Sequence, residues 1–235
     1  MKGKDWYQAT DVAEAYDDKR FSRGGQLIDR RERKAVLDAL TPVEDSDILE
    51  IACGTGRFTA MLGERGANVV GIDISGPMLS QGRRRSGEAG VSDQVTFMRG
   101  DAGRLPFPDD HFDAVFAMRF FHLAPTPEHF LREMRRVSRD VIFFDTFNAF
   151  STRTVYNWLL PMGSRLYSED EVRELLSVTD LELVRAEHDF VLPYGLYRSI
   201  PGSVARPLRR FDTRFGRTGI GQRLASVSYW RARLV

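Results

Sequence analysis

Residues 47–56 read D-I-L-E-I-A-C-G-T-G, and the fold is decided in this stretch. Ile48, Leu49 and Ile51 make the short apolar run of a strand buried in a parallel sheet, interrupted near its end by Glu50. Gly54-Thr55-Gly56 follows as a turn, where the missing Cβ of glycine lets a ligand approach the backbone. Phe58, Met61 and Leu62 then recur at helical spacing. Strand, glycine turn and helix in this order open a nucleotide-binding βαβ unit. A lone GxG is weak evidence. Here it is strengthened by the acid ahead of it and by two more acids ending the next two strands, Asp73 and Asp101.

Outward from this unit, strands and helices alternate. Residues 69–72 are expected as strand two, ending in Asp73, with Ser75 as N-cap of a helix through Met78 and Leu79. Residues 95–98 form strand three, ending at Gly100-Asp101, and residues 112–117 form strand four. Thr126-Pro127 opens another helix, cap then proline in the first turn, with Phe130, Met134 and Val137 on one face. Residues 141–144 are a buried strand five. Such alternation with short connections implies a parallel sheet with helices on both faces.

Upstream, residues 5–22 read as a mixed helix carrying Trp6, Tyr7, Val12, Tyr16 and Phe21, broken at Gly24-Gly25. Leu27, Ile28, Val36, Leu37 and Leu40 fit one face of a second helix ending near Thr41-Pro42. Downstream, Phe147, Phe150, Tyr156, Trp158 and Leu159 suggest an aromatic helical segment before Pro161. Residues 168–171 are a capping box opening a helix through Val172, Leu175 and Leu176. Residues 181–188 and 225–234 alternate, hence strands six and seven.

The expected fold class is therefore α/β, a Rossmann-like doubly wound seven-stranded sheet, mostly parallel with an antiparallel last strand, under an N-terminal helical cap. One domain is expected over residues 1–235: cap 1–45, cofactor-binding core 46–146, and a substrate-side half 147–235 with an insert at 189–224. A hairpin between strands six and seven needs only a few residues. The insert is read either as a lid or substrate-recognition segment, or as a surface excursion without function.

The 235 residues suit one large domain, and 42% hydrophobic content supplies a core. A net charge of +1 gives no global sign of a nucleic-acid partner. The basic residues are nearly all arginine, and residues 195–235 hold nine Arg against one Asp. One cysteine excludes an internal disulfide and a Cys-based zinc site. No metal site is expected, since His129 and His188 lack ligand spacing. No apolar run approaches a membrane span, and the first residues lead into charge rather than a signal sequence. A soluble, cytoplasmic protein is expected.

With these motifs in order, the chain resembles the class I S-adenosylmethionine-dependent methyltransferases, of the small-molecule type related to quinone and sterol methyltransferases. The resemblance is strong over residues 47–142 and looser from Ser168. Its first motif is Glu50-Ile51-Ala52-Cys53-Gly54-Thr55-Gly56, with Ala52 in place of the family's first glycine. The second ends in Asp73, followed by Ile74-Ser75. The third is Gly100-Asp101-Ala102, with Leu105-Pro106-Phe107 and Phe112-Asp113 after it.

The resemblance implies S-adenosyl-L-methionine as cofactor. It implies that Asp73 accepts the ribose hydroxyls, that Asp101 and Ala102 meet adenine between Ile74 and Leu105, and that Glu50 orders the glycine loop and the ligand's amino end. Ala52, Gly54, Thr55, Gly56, Met78 and Met118 complete the expected cofactor site, with Tyr16 either covering it from the N-terminal helices or simply packing. Chemistry agrees on the diol, because an ionised Asp is acceptor-only.

His122, after strand four, is a candidate general base by its pKa class; the alternative is a histidine bonded to backbone. Cys53 is read as packing. The expected reaction is methyl transfer to a small-molecule acceptor, apolar or anionic, with peripheral membrane contact open and no nucleic acid. The alternatives are a non-catalytic cofactor-binding module and a nicotinamide-dependent oxidoreductase. The latter's G-x-G-x-x-G fingerprint fails at Thr59. RNA methylation would favour an N/D-P-P-[FYW] motif after strand four, and 118–121 read M-R-F-F. In the insert, arginines interleaved with aromatics either suit an anionic or lipid-like substrate or form a solvated face, and neutralising Arg209 and Arg210 together is expected to change methyl acceptance.

Overall fold

The computed structural model describes Ala13, Arg20 and residues 23–154 and 164–235. Tyr16, the rest of the expected first helix, and Tyr156, Trp158 and Leu159 lie outside the described residues. Seven strands make one sheet: β1 (Asp47–Ile51), β2 (Asn68–Asp73), β3 (Val95–Arg99), β4 (Phe112–Ala117), β5 (Ser138–Phe147), β6 (Leu181–Asp189) and β7 (Val227–Leu234). Their order is β3-β2-β1-β4-β5-β7-β6. Pairing is parallel from β3 through β5, and β7 runs antiparallel to both β5 and β6.

Two hydrophobic layers form because successive strand residues face opposite sides. Along β5, Phe143 joins one layer and Phe144 the other. The first layer packs α1 (Gly25–Leu40), α2 (Arg57–Gly63) and α3 (Gly76–Glu88) on the sheet through Ile28, Val36, Phe58, Met61 and Leu79. The second packs α4 (Pro127–Val137) and α5 (Glu169–Ser177) through Leu131, Met134, Val172 and Leu176. Trp230, on β7, lies in this second layer and donates from Nε1 to Thr146 Oγ1 at 2.8 Å.

The caps follow the sequence unevenly. Ser75 accepts from the Met78 N–H at 3.3 Å, and Ser168 accepts from the Glu171 N–H at 3.1 Å. Glu171 pairs with Arg165 at 2.6 Å. Thr126 makes no side-chain capping bond, so α4 starts on its proline, whose missing N–H removes one orphan donor.

One expectation is corrected. β5 runs three residues beyond 141–144 at each end, and β7 pairs along it from Val141 to Phe147. Phe147 is thus a buried strand residue rather than part of an aromatic helix, and Phe150, 68% exposed, sits in the turn after it. The segment between β6 and β7 is compact and helical: α6 (Tyr194–Ser199), α7 (Gly202–Gly216) and α8 (Gly219–Leu224). Tyr194, Tyr197 and Ala205 carry α6 and α7 onto the first layer beside α1. Among the described residues, no helix is long and apolar enough to cross a membrane.

Candidate functional site

The sheet order reverses between β1 and β4, and in such sheets ligands bind at the carboxyl ends of the strands by that switch point. The turn after β1 is wound left-handed at alternate residues: φ is +54° at Ala52, +56° at Gly54 and +66° at Gly56. A Cβ on Gly56 would lie 2.6 Å from the Phe97 ring, whereas one on Gly54 would meet nothing within 4 Å. Open space above Gly54 is the floor of a cavity. Ala52 holds its left-handed φ with a Cβ, at a cost of roughly 1–2 kcal/mol.

Asp73 ties this turn to β2. Its Oδ2 accepts from the Gly54 N–H at 2.9 Å and its Oδ1 from the Ser75 N–H at 2.8 Å. Burial raises the Asp73 pKa against the pull of these backbone donors. Each carboxylate oxygen keeps acceptor capacity beyond one bond, and the side chain lines the cavity. At the end of β3, Asp101 also lines it and accepts from the Gly103 N–H at 2.8 Å.

Of the expected cofactor residues, Ala52, Gly54, Asp73, Ile74, Met78, Asp101, Ala102 and Met118 come together around this one cavity. Thr55 and Gly56 are buried in the turn behind the lining. Leu105 is buried outside the lining too, its N–H donating to Glu133 Oε2 at 2.8 Å.

Glu50 lies deeper still, only 2% exposed, and accepts from Thr59 Oγ1 at 2.5 Å. Burial pushes its pKa up to about 8 in spite of that bond. At neutral pH it is mostly protonated, and it sits under the turn rather than in the cavity. His122 stands outside the lining, its ring 4.9 Å from Phe147. Burial, then Arg119, Arg153 and Arg20, hold its pKa well below the usual histidine range. The ring is neutral at pH 7, and as a base it is weak.

The far wall is apolar, made by Phe120, Leu123 and Phe130 beyond Met118. Phe120 and Phe130 meet edge to face at 4.9 Å. Nothing in their local spacing marks them as a wall, since the short 3₁₀ turn over Phe121–Leu123 places Phe120 and Leu123 while Phe130 comes from α4.

Sequence reasoning also misses Arg119, which lines the cavity with φ +61°. Its guanidinium bonds Glu32 Oε1, and its N–H donates to Asp145 Oδ1 at 2.5 Å. Glu32 further accepts from Arg57 at 2.5 Å, and Arg57 also reaches Asp29 at 2.6 Å. Burial alone would raise the Glu32 pKa, but Arg119 and Arg57 hold it down at about 2. Burial lifts Asp145 to about 6 against Arg119. This buried network joins α1, α2 and the ends of β4 and β5, and no local pattern announces it because Glu32 and Arg119 are 87 residues apart.

The cavity has the donors and acceptors that S-adenosylmethionine requires: carboxylates at the tips of β2 and β3, a glycine turn open to close approach, and apolar faces at Ile74 and Ala102. Comparison with known proteins agrees. Residues 49–141 match a methyltransferase domain family. A demethylmenaquinone methyltransferase from Beutenbergia cavernae is 38% identical over 138 residues, 55% of this chain and 54% of that protein. The chain spans about half the length of the curated relatives it matches.

Two solved structures share the fold at a TM-score of 0.67. One is a geranyl diphosphate methyltransferase in complex with S-adenosylmethionine, 19% identical with 87% of this chain and 85% of that one covered. The other is the [4+2]-cyclase SpnF, 20% identical with 87% and 80% covered. Fold and site thus define a Rossmann-like α/β protein with a ligand cavity at the carboxyl ends of its strands. Over its matched part the chain is similar to the class I S-adenosylmethionine-dependent methyltransferases, quinone and sterol methyltransferases among them.

Proposed function

We propose that this chain transfers a methyl group from S-adenosylmethionine to a small, largely apolar acceptor. The observation that carries the reading is that Asp73, Asp101 and the open Gly54 face one cavity whose opposite wall is Phe120, Leu123 and Phe130. When bound, the cofactor supplies a methyl carbon on a sulfonium, open to in-line displacement with the bond electrons leaving on sulfur. Asp73 holds the ribose hydroxyls, Asp101 and Ala102 hold adenine against Ile74, and the turn from Ala52 to Gly56 seats the amino-acid end. Met118 and the aromatic wall exclude water and hold the acceptor in near-attack geometry. Where the acceptor must lose a proton, His122 is the proposed receiver.

The names of matched relatives favour an apolar acceptor: demethylmenaquinone, sterol and fatty-acid methyltransferases. The test has two stages. Calorimetry should show binding of S-adenosylmethionine and S-adenosylhomocysteine but not NAD; tight NAD binding with no response to the other two overturns the reading. Incubation of extracted metabolite pools with methyl-labelled cofactor should then label an apolar product. Cofactor binding with no label in any pool would favour a binding module, or a reaction other than methyl transfer, as the cyclase on this fold illustrates.

A further inference from the structure

Arg119 lines the cavity, Arg57, Arg153 and Arg198 stand behind the lining, and these guanidiniums are neutralised unequally. Arg119 and Arg57 share Glu32, with Asp145 and Asp29 beside them. Arg153 and Arg198 have no such partner: neither forms an ion pair with an acid among the described residues, and the Nε of each is buried with no hydrogen bond. Arg153 follows β5 and stacks 3.5 Å over the Phe147 ring. Arg198, on α6, lies 5.8 Å from the Tyr194 ring. These two rings meet edge to face at 6.5 Å, and Arg119, which lines the cavity, sits over both at 5.1 and 4.4 Å. Two unneutralised cations are thus gathered on the same aromatic pair as a cavity residue.

Burial first, and the neighbouring Arg119 and Arg20, bring both guanidiniums down to about 10. Both remain charged at neutral pH. Both side chains are half-buried, and a partly desolvated charge without an acid partner is unfavourable. It persists where another requirement maintains it, and the planar donor fork of arginine matches carboxylate and phosphate oxygens.

We propose that Arg153 and Arg198 form an anion clamp for the acceptor, gripping a carboxylate or phosphate while the apolar body lies along Phe120, Leu123 and Phe130. The clamp deepens the methyl-transfer reading and rests on it for the identity of the bound molecule as acceptor. Its anion-binding chemistry stands apart from cofactor binding.

The experiment titrates the full chain, saturated with S-adenosylhomocysteine, with decanoate, decyl phosphate and decanol. At least one anion should bind about tenfold or more tighter than decanol, the scale of hydrogen bonds to a charged group. Preference for decanoate assigns a carboxylate, and preference for decyl phosphate a phosphate. The R153Q/R198Q variant should lose that advantage while keeping its affinity for decanol and S-adenosylhomocysteine. R153K/R198K, which keeps charge and removes the fork, serves where the glutamine variant does not fold; it should lose a smaller part. Decanol binding as tightly as both anions overturns the clamp, as does an anion preference that survives both variants. Failure of S-adenosylhomocysteine to bind overturns the methyl-transfer reading instead, and the same titrations on the unliganded chain still decide the clamp.

Discussion

The Gly54 N–H donates to Asp73 Oδ2 at 2.9 Å, so the acid ending β2 holds the glycine turn that follows β1. Asp73 therefore has two tasks, because the same carboxylate faces the cavity. Asp73→Ala should weaken S-adenosylhomocysteine binding by ~1.5–3 kcal/mol. It should also lower stability by about 1–3 kcal/mol, since the N–H groups of Gly54 and Ser75 lose their acceptor. The sequence alone suggests a variant with its fold undisturbed; the two backbone bonds change that expectation. Calorimetry and urea denaturation read the two effects separately, and unchanged affinity would remove Asp73 from the cofactor site.

Glu50 should make stability fall as pH rises. Its folded pKa of about 8 lies above the ordinary 4.5, so the folded state holds a proton that the unfolded chain has released. Its protonated form is favoured fully below pH 4.5, and that advantage is lost progressively between 4.5 and about 8. Glu50→Gln, which copies the neutral acid, should match the parent near pH 4.5 and melt higher at pH 8. Parallel melting curves across that window would contradict the buried, protonated assignment.

Glu32 is the joint of the buried charge network. Glu32→Ala removes the acid that Arg57 and Arg119 share; Asp29 stays beside the first and Asp145 beside the second. Breaking a buried pair in this way costs roughly 3–5 kcal/mol. With a folded pKa near 2, against the ordinary 4.5, Glu32 contributes stability above pH 4.5 that is lost as pH falls toward 2. Denaturation midpoints at pH 7 and pH 3 test both statements: the gap between parent and variant should narrow at the lower pH.

Arg209 is a structural arginine. It reaches Asp189 at 2.6 Å and Asp212 at 3.1 Å, and stacks 3.8 Å over Phe190. Asp212 in turn accepts from the N–H groups of Val191 and Leu192 and from the Tyr197 hydroxyl at 2.7 Å. Arg209→Ala should thus unseat α7 and cost about 3 kcal/mol or more. Arg210→Ala, at an exposed position, should stay within about 0.5 kcal/mol of the parent. Equal melting temperatures for the two variants would count against this division.

His122→Ala should leave cofactor affinity level and reduce turnover only modestly. A general base typically contributes ~10²–10⁴-fold, and a histidine whose pKa sits well below neutrality falls short of that range. Single-turnover rates with an identified acceptor measure the loss. A drop of the full general-base size would show that ligand binding restores the basicity of the ring.

By itself, the chain's order of residues determined the strands, the glycine turn and the acids at the tips of β1, β2 and β3. These are local signals: a period of two, a turn that needs positive φ, and a carboxylate at fixed distance from each strand. The same order led to the sheet's antiparallel last strand, because alternation marks strands wherever they pair.

Only the tertiary structure decided which side chains share a space. Glu50 reads like Asp73 as an acid near a turn, yet one lies under the turn and the other faces the cavity: both point to the same side of the sheet, but Glu50 is in register with Gly71, two residues short of Asp73 at the strand end. The arginines near the C-terminus look alike in sequence. Contacts with Asp189 and Asp212, neither of them in the cavity lining, pair Arg209, while Arg198 is left beside Tyr194 with a buried, unpartnered Nε. Charge pairing across long separations depends on where whole helices dock, and no local window of sequence carries that information.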